Sequence, residues 1–174
     1  MRTIFAVILC AAALSAADAP RPAQRFLLPD VKGRDHDLYD YKGKVVVLEF
    51  MQTACPHCGA FTSVLKQVQQ RYRDRVAVMA VVNPPDTPEL VSTFMAMHAV
   101  SYPILLDAGR VAFAYIRRQT FNIPYVFLID GNTQVREQWE YSPATLDIFE
   151  GNGLFPAIDN LLGASFGSSP APKK

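Results

Sequence analysis

The residues Cys55-Pro56-His57-Cys58 constrain this chain more than any other stretch. They follow an apolar, β-branched run, Val45–Met51, and precede an amphipathic segment from Ala60 to Tyr72. A Cys-x-x-Cys motif therefore falls where a strand gives way to the first turn of a helix. Backbone N–H groups at that point lack helical partners and form the positive end of the helix dipole. Both favour the thiolate at Cys55, and the thiolate is the reactive form of a cysteine. The second thiol, three residues on, lies one helical turn away, close enough to close a disulfide. The expectation is reversible dithiol–disulfide chemistry, with Cys55 as the exposed nucleophile and Cys58 as the resolving thiol. Pro56 suits the first helical position, where a missing N–H costs nothing.

The N-terminus reads as an export signal. Arg2 supplies a positive start, Ile4 to Ala13 is apolar, and Ser15, Ala16, Ala17 and Ala19 are small. The ten-residue apolar run falls short of the about 20 residues that span a bilayer, so an uncleaved anchor is the weaker alternative. Lipidation at Cys10 is disfavoured, because Val7-Ile8-Leu9 lacks small residues. Cleavage removes Arg2 and Cys10 and leaves 16 basic and 16 acidic side chains, a net charge of zero. Cys55 and Cys58 are then the remaining cysteines. So short a loop staples almost nothing, which argues against a purely structural disulfide. An exported, periplasmic or otherwise extracytoplasmic protein meets an oxidising compartment. No basic stripe stands out in the sequence, so no nucleic-acid partner is expected.

The 174 residues suggest one domain. Residues 1–17 are assigned to the signal peptide, 18–25 to a linker, 26–162 to the folded domain and 163–174 to a disordered tail. Within the domain, Leu38 to Tyr41 suits one helical turn, and Val45–Met51 and Arg75–Val82 read as buried strands. Phe61, Val64, Leu65, Val68 and Tyr72 share one face of the first helix. Thr87 is a candidate N-cap, with Pro88 and Glu89 behind it and a helix to about Ala99. A short strand over 102–107, a short helix ending at Arg118, and a hairpin turning at Gly131-Asn132 follow. Pro143–Glu150 and Leu154–Leu162 read as helices broken by Gly151-Asn152-Gly153. This order predicts an α/β/α three-layer sandwich around a mixed parallel and antiparallel sheet.

Three segments in this order resemble the thioredoxin superfamily, and within it the exported TlpA/ResA-like thiol–disulfide oxidoreductases. They are the lead-in from Phe26-Leu27-Leu28-Pro29-Asp30 to Lys44, the strand with Cys55-Pro56-His57-Cys58, and Phe121 to Asp130. The resemblance implies a thioredoxin-like fold and a cis Ile123-Pro124 bond beside the disulfide; the residues alone suit an ordinary trans proline opening a strand. It also matches Glu49 to a buried acid that takes a proton from the second thiol, against the alternative of a strand glutamate reaching solvent or an ion pair. The chain departs from the family at Ala54, where a tryptophan is usual, and Pro56-His57 resembles the dipeptide of Dsb-type oxidants. His57, in the first helical turn, is the residue expected to tune the sulfur.

The expected function is disulfide exchange with other exported proteins, as a reductant of TlpA/ResA type. A reductant draws on a separate electron donor, membrane-bound in one version. The alternatives are a Dsb-like disulfide donor and a thiolate-based copper carrier with His98 as the remote ligand. Structural zinc is disfavoured because no second Cys-x-x-Cys exists. A peroxidase is disfavoured because Gln52 occupies the position expected for threonine. No cofactor is expected beyond the Cys55–Cys58 disulfide itself. His36 and His98 are read as surface or satisfied structural histidines, and Trp139 and Tyr141 as packing residues.

Overall fold

A computed structural model describes residues 20–166, and the side chains only as far as residue 163. The expected signal peptide, Cys10 and most of the expected tail lie outside the described residues. The strands are β1 (Arg21–Pro22), β2 (Leu27–Pro29), β3 (Asp35–Asp37), β4 (Val45–Phe50), β5 (Val76–Val82), β6 (Ile104–Leu106), β7 (Tyr125–Ile129) and β8 (Gln134–Glu140). The helices are α1 (Pro56–Tyr72), α2 (Pro88–His98), α3 (Arg110–Ile116), α4 (Leu146–Phe149) and α5 (Leu154–Phe166).

Every residue of β4 is buried, as its run, apolar but for Glu49, demands for a strand covered on both faces. It sits inside a six-stranded sheet of order β1-β8-β7-β4-β5-β6. Its pairing with β5 is parallel and with β7 antiparallel, so the sheet is mixed as expected. Alternation along β4 divides the core. Val45 and Val47 pack on one side with α1, α2, α4 and α5. Val46, Leu48 and Phe50 pack on the other with α3 and the lead-in residues Phe26 and Leu38. These are the three layers, and they fix Glu49 on the α1 side.

The N-terminal stretch differs from the linker expected over 18–25. Arg21 and Pro22 pair with Val135 and Gln134, the Ala23 amide donates to the Thr133 carbonyl at 2.8 Å, and Ala23 is buried. Arg21 donates to the Tyr115 carbonyl at 2.9 Å, and the Tyr115 hydroxyl to that of Gln24 at 2.8 Å. Proline and charge suggest a spacer by composition, yet proline is also at home on an edge strand, where its missing donor faces away from the ladder. At the other end α5 continues to Phe166, past the expected boundary at 162. Among the described residues no helix is long and apolar enough to cross a membrane.

The lead-in is a hairpin, β2 against β3, closed around Asp30. The Asp30 carboxylate accepts from the Lys32 and Arg34 amides at 2.8 and 3.0 Å. Its other oxygen receives the Arg34 guanidinium at 2.9 Å and lies 3.1 Å from His36 Nε2. Burial works to raise the Asp30 pKa, but these hydrogen bonds outweigh it and hold the carboxyl well below the usual carboxylate range. An Asp30→Ala variant should lose about 2–3 kcal/mol at neutral pH, because it strands several donors. A depressed acid contributes stability above its unfolded pKa and loses it as pH falls. The gap between the two proteins in urea unfolding should therefore narrow below about pH 4. An equal gap at pH 7 and pH 2 would contradict this account.

Candidate active site

The helix α1 begins where the sequence places it, and Cys55 is its N-cap. Cys55 has extended backbone angles (φ −84°, ψ 114°), and its sulfur takes the place of a capping oxygen. The Cys58 amide donates to Cys55 Sγ at 3.2 Å. The contact aims a backbone amide of the helix start at the outer sulfur. Pro56 occupies the first helical position. The Cys55 thiol, partly exposed, also faces the Ile123 carbonyl at 3.7 Å. The next peptide bond, Ile123–Pro124, is cis. The chain thus brings Cys55 and Pro124 together across 69 residues of sequence.

Cys58 lies one turn down, fully buried, and both cysteines are free thiols. Burial pushes the Cys58 thiol far up, with the charge of Glu49 and the hydrogen bond to Cys55 acting in the same direction. Glu49 is also fully buried, and neither carboxyl oxygen has a hydrogen-bond partner. Burial alone pushes its pKa up to about 8. The alternative of a strand glutamate reaching solvent or an ion pair is not what the structure has. An isolated buried carboxyl of this kind is costly, which makes it a functional candidate rather than a stabilising feature.

His57 follows Pro56 in the first turn of α1. Its ring stacks on Tyr141 at 4.2 Å between centroids and an interplanar angle of 22°. From sequence Tyr141 reads as a packing residue, since no local spacing links positions 57 and 141. Tyr141 is held by its own amide, which donates to the Pro124 carbonyl at 3.1 Å, so the histidine's stacking partner is tied to the cis-proline loop.

On the α2 side of Cys55 a cavity of about 530 Å³ opens, lined by Cys55, Thr53, Gly59, Lys66, Met97 and His98. Ala54 also lines it. The His98 ring lies tilted against Phe94, 4.5 Å between centroids, and so close to α1 that a Cβ on Gly59 would meet its Cε1 at 2.9 Å. Among the described residues no group of three His, Cys, Asp or Glu side chains could hold a metal ion. His98 therefore does not join the two thiols in a three-ligand set.

A dithiol capping a helix beside a cis-proline loop, on a mixed sheet of this order, defines the thioredoxin-fold thiol–disulfide oxidoreductases. The AhpC/TSA family model matches residues 20–138, and the chain belongs to that family. The expected resemblance to ResA-like proteins is borne out. The chain is 31% identical over 116 residues to the thiol-disulfide oxidoreductase ResA of Geobacillus kaustophilus, covering 66% of this chain and 65% of that protein. It is 29% identical over 149 residues to ResA of Geobacillus thermodenitrificans, covering 79% and 84%. A crystal structure of a candidate thiol:disulfide interchange protein DsbE from Chlorobium tepidum superposes with a TM-score of 0.68 at 27% identity, covering 81% of this chain and 98% of that one.

Proposed function

We propose that this protein is an exported reductant of disulfides in other extracytoplasmic proteins, of the TlpA/ResA type. The observation that carries this reading is the asymmetry of the two thiols: Cys55 half-open and capped by an amide, Cys58 fully buried behind it. A dithiol pair becomes oxidising when its reduced form is stabilised as thiolate. Burial and Glu49 both oppose a Cys58 thiolate, which leaves Cys55 as the attacking sulfur. The ResA-named relatives support the TlpA/ResA type over a Dsb-like disulfide donor.

The steps follow from the geometry. The Cys55 thiolate attacks one sulfur of the client disulfide, and the first client sulfur leaves with the electron pair of the broken S–S bond. Cys58 then loses its proton to the Glu49 carboxylate and attacks Cys55 Sγ. The Cys55–Cys58 bond forms, the client–Cys55 bond breaks, and the second client sulfur leaves as thiolate. The client gains two electrons and the protein loses two. The Ile123 carbonyl and the cis Pro124 edge form the surface against which the client sulfur docks. The redox group is the Cys55–Cys58 pair, with no bound cofactor. A separate donor, membrane-bound in one arrangement, returns the electrons.

The test is the equilibrium reduction potential of residues 18–174 against a glutathione series. A potential well below that of the glutathione couple supports the reductant; one well above it replaces the reductant with a disulfide donor. On the reading of His57 as the tuning residue of the first helical turn, a His57→Ala variant should move the potential by about 30 mV to more negative values, a tenfold change in the exchange constant. An unchanged potential would make His57 a mere stacking partner of Tyr141.

A further inference from the structure

Of the buried side-chain polar atoms without a hydrogen-bond partner among the described residues, three of four belong to two groups on one face of the sheet. They are Glu49 Oε1, Glu49 Oε2 and the Tyr102 hydroxyl; the fourth is Arg21 Nη1. Tyr102 is fully buried in the same core cluster as Cys58. Register brings it toward Glu49. Glu49 aligns with Ala80 in β5, Ala80 aligns with Ile104 in β6, and the Ala80 amide holds the chain at Pro103, next to Tyr102. The side chain between Glu49 and β6 in that row is the single methyl of Ala80. A buried hydroxyl left unbonded costs free energy that a phenylalanine would not. Tyrosine at this position therefore calls for a use.

We propose that Tyr102 is a positioning residue for Glu49, its hydroxyl donating to the carboxylate when Glu49 ionises to serve Cys58. This rests on the reading of Glu49 as the proton acceptor for the resolving thiol. Glu49 interacts electrostatically with Cys58 from α1 and with Tyr102 from the segment before β6, and Cys55 Sγ lies against the Cys58 amide. Its cross-strand neighbours are Ala80 in β5 and Val126 in β7, both apolar. Tyr102 is the one neutral donor in that set that holds its proton through the cycle. Burial, then Glu49 and Cys58, push its own ionisation far up. The bond forms as the carboxyl takes on charge and is released when it takes the Cys58 proton. The proton itself passes from Cys58 to Glu49 and on to the departing client thiolate; Tyr102 gives none up.

Tyr102→Phe removes one oxygen and keeps the ring. Since that oxygen has no partner in the reduced protein, the variant should unfold at the same urea concentration or higher. Mixed-disulfide formation at Cys55, read with a disulfide-bonded peptide under single turnover, should keep its rate. Resolution by Cys58 should slow about tenfold near neutral pH, and its pH midpoint should move up by about one unit, because the carboxylate has lost a donor. The Glu49 carboxyl stretch, assigned by its loss in Glu49→Gln, should titrate at a correspondingly higher pH in the infrared. Unchanged resolution and an unchanged infrared midpoint would overturn the proposal and leave Tyr102 as packing. If even the native protein formed no mixed disulfide, the proposed function would fail instead. The infrared midpoint would still decide the role of Tyr102.

Discussion

A Cys55→Ser variant is expected to lose disulfide exchange down to the uncatalysed background, while Cys58→Ser accumulates clients as stable mixed disulfides. The difference follows from depth. Cys55 is the partly exposed sulfur, positioned by the Cys58 amide at 3.2 Å and facing the Ile123 carbonyl at 3.7 Å. A serine hydroxyl there can still cap the helix, so the fold should survive, but it is no nucleophile toward sulfur. Cys58 is fully enclosed by the core, and a client cannot reach it first. Replacing it with serine leaves attack intact and removes only the second step. The check is non-reducing electrophoresis after mixing with a disulfide-bonded protein, followed by mass spectrometry of the adduct. A trap formed at position 58 in Cys55→Ser would reverse the assignment of the two thiols.

What could be read in advance depended on how far apart the partners stand in sequence. The strand β4, the start of α1 at Pro56 and the cap at Thr87 all carry local signals. Thr87 accepts the Leu90 amide at 3.3 Å, as its place before Pro88 and Glu89 predicted. Glu49 stands out as the one charge in an otherwise apolar run. The three-layer sandwich followed from the order of elements. Strands of two and three residues, β1 to β3, are too short to show a period, so the linker assignment rested on composition and missed the pairing of Arg21 and Pro22 with β8. The partners of the site were hidden for a different reason. Tyr141 on His57, His98 against Gly59 and Tyr102 toward Glu49 are tertiary meetings, and each residue alone looks like ordinary packing. The signal that could have raised Tyr102 was weak: a hydroxyl in a segment otherwise fit for the core.

Glu49→Gln carries the second large effect, and it acts on rate and stability in opposite directions. With the carboxylate gone, Cys58 has no buried base, and resolution of the mixed disulfide should slow on the order of 10²-fold. Formation of that disulfide at Cys55 should be nearly unaffected. Stability moves the other way. Burial raises the Glu49 pKa from 4.5 to about 8, so the folded protein prefers the protonated acid. The unfolded chain releases that proton first, which pulls the equilibrium toward unfolding as pH rises. Stability from this group is full below pH 4.5, declines between 4.5 and about 8, and is level beyond. The slope in that window is about 1.4 kcal/mol per pH unit at most. Glutamine keeps the shape and cannot ionise, so the variant lacks that slope. Its stability relative to the native reduced protein should rise steadily from pH 5 to pH 8 in urea titrations. Parallel curves across that range would mean that Glu49 titrates as in water, and the proton route from Cys58 would need another base. A buried, unpartnered acid weakens the fold at neutral pH, which makes Glu49 a functional candidate rather than a stabilising feature.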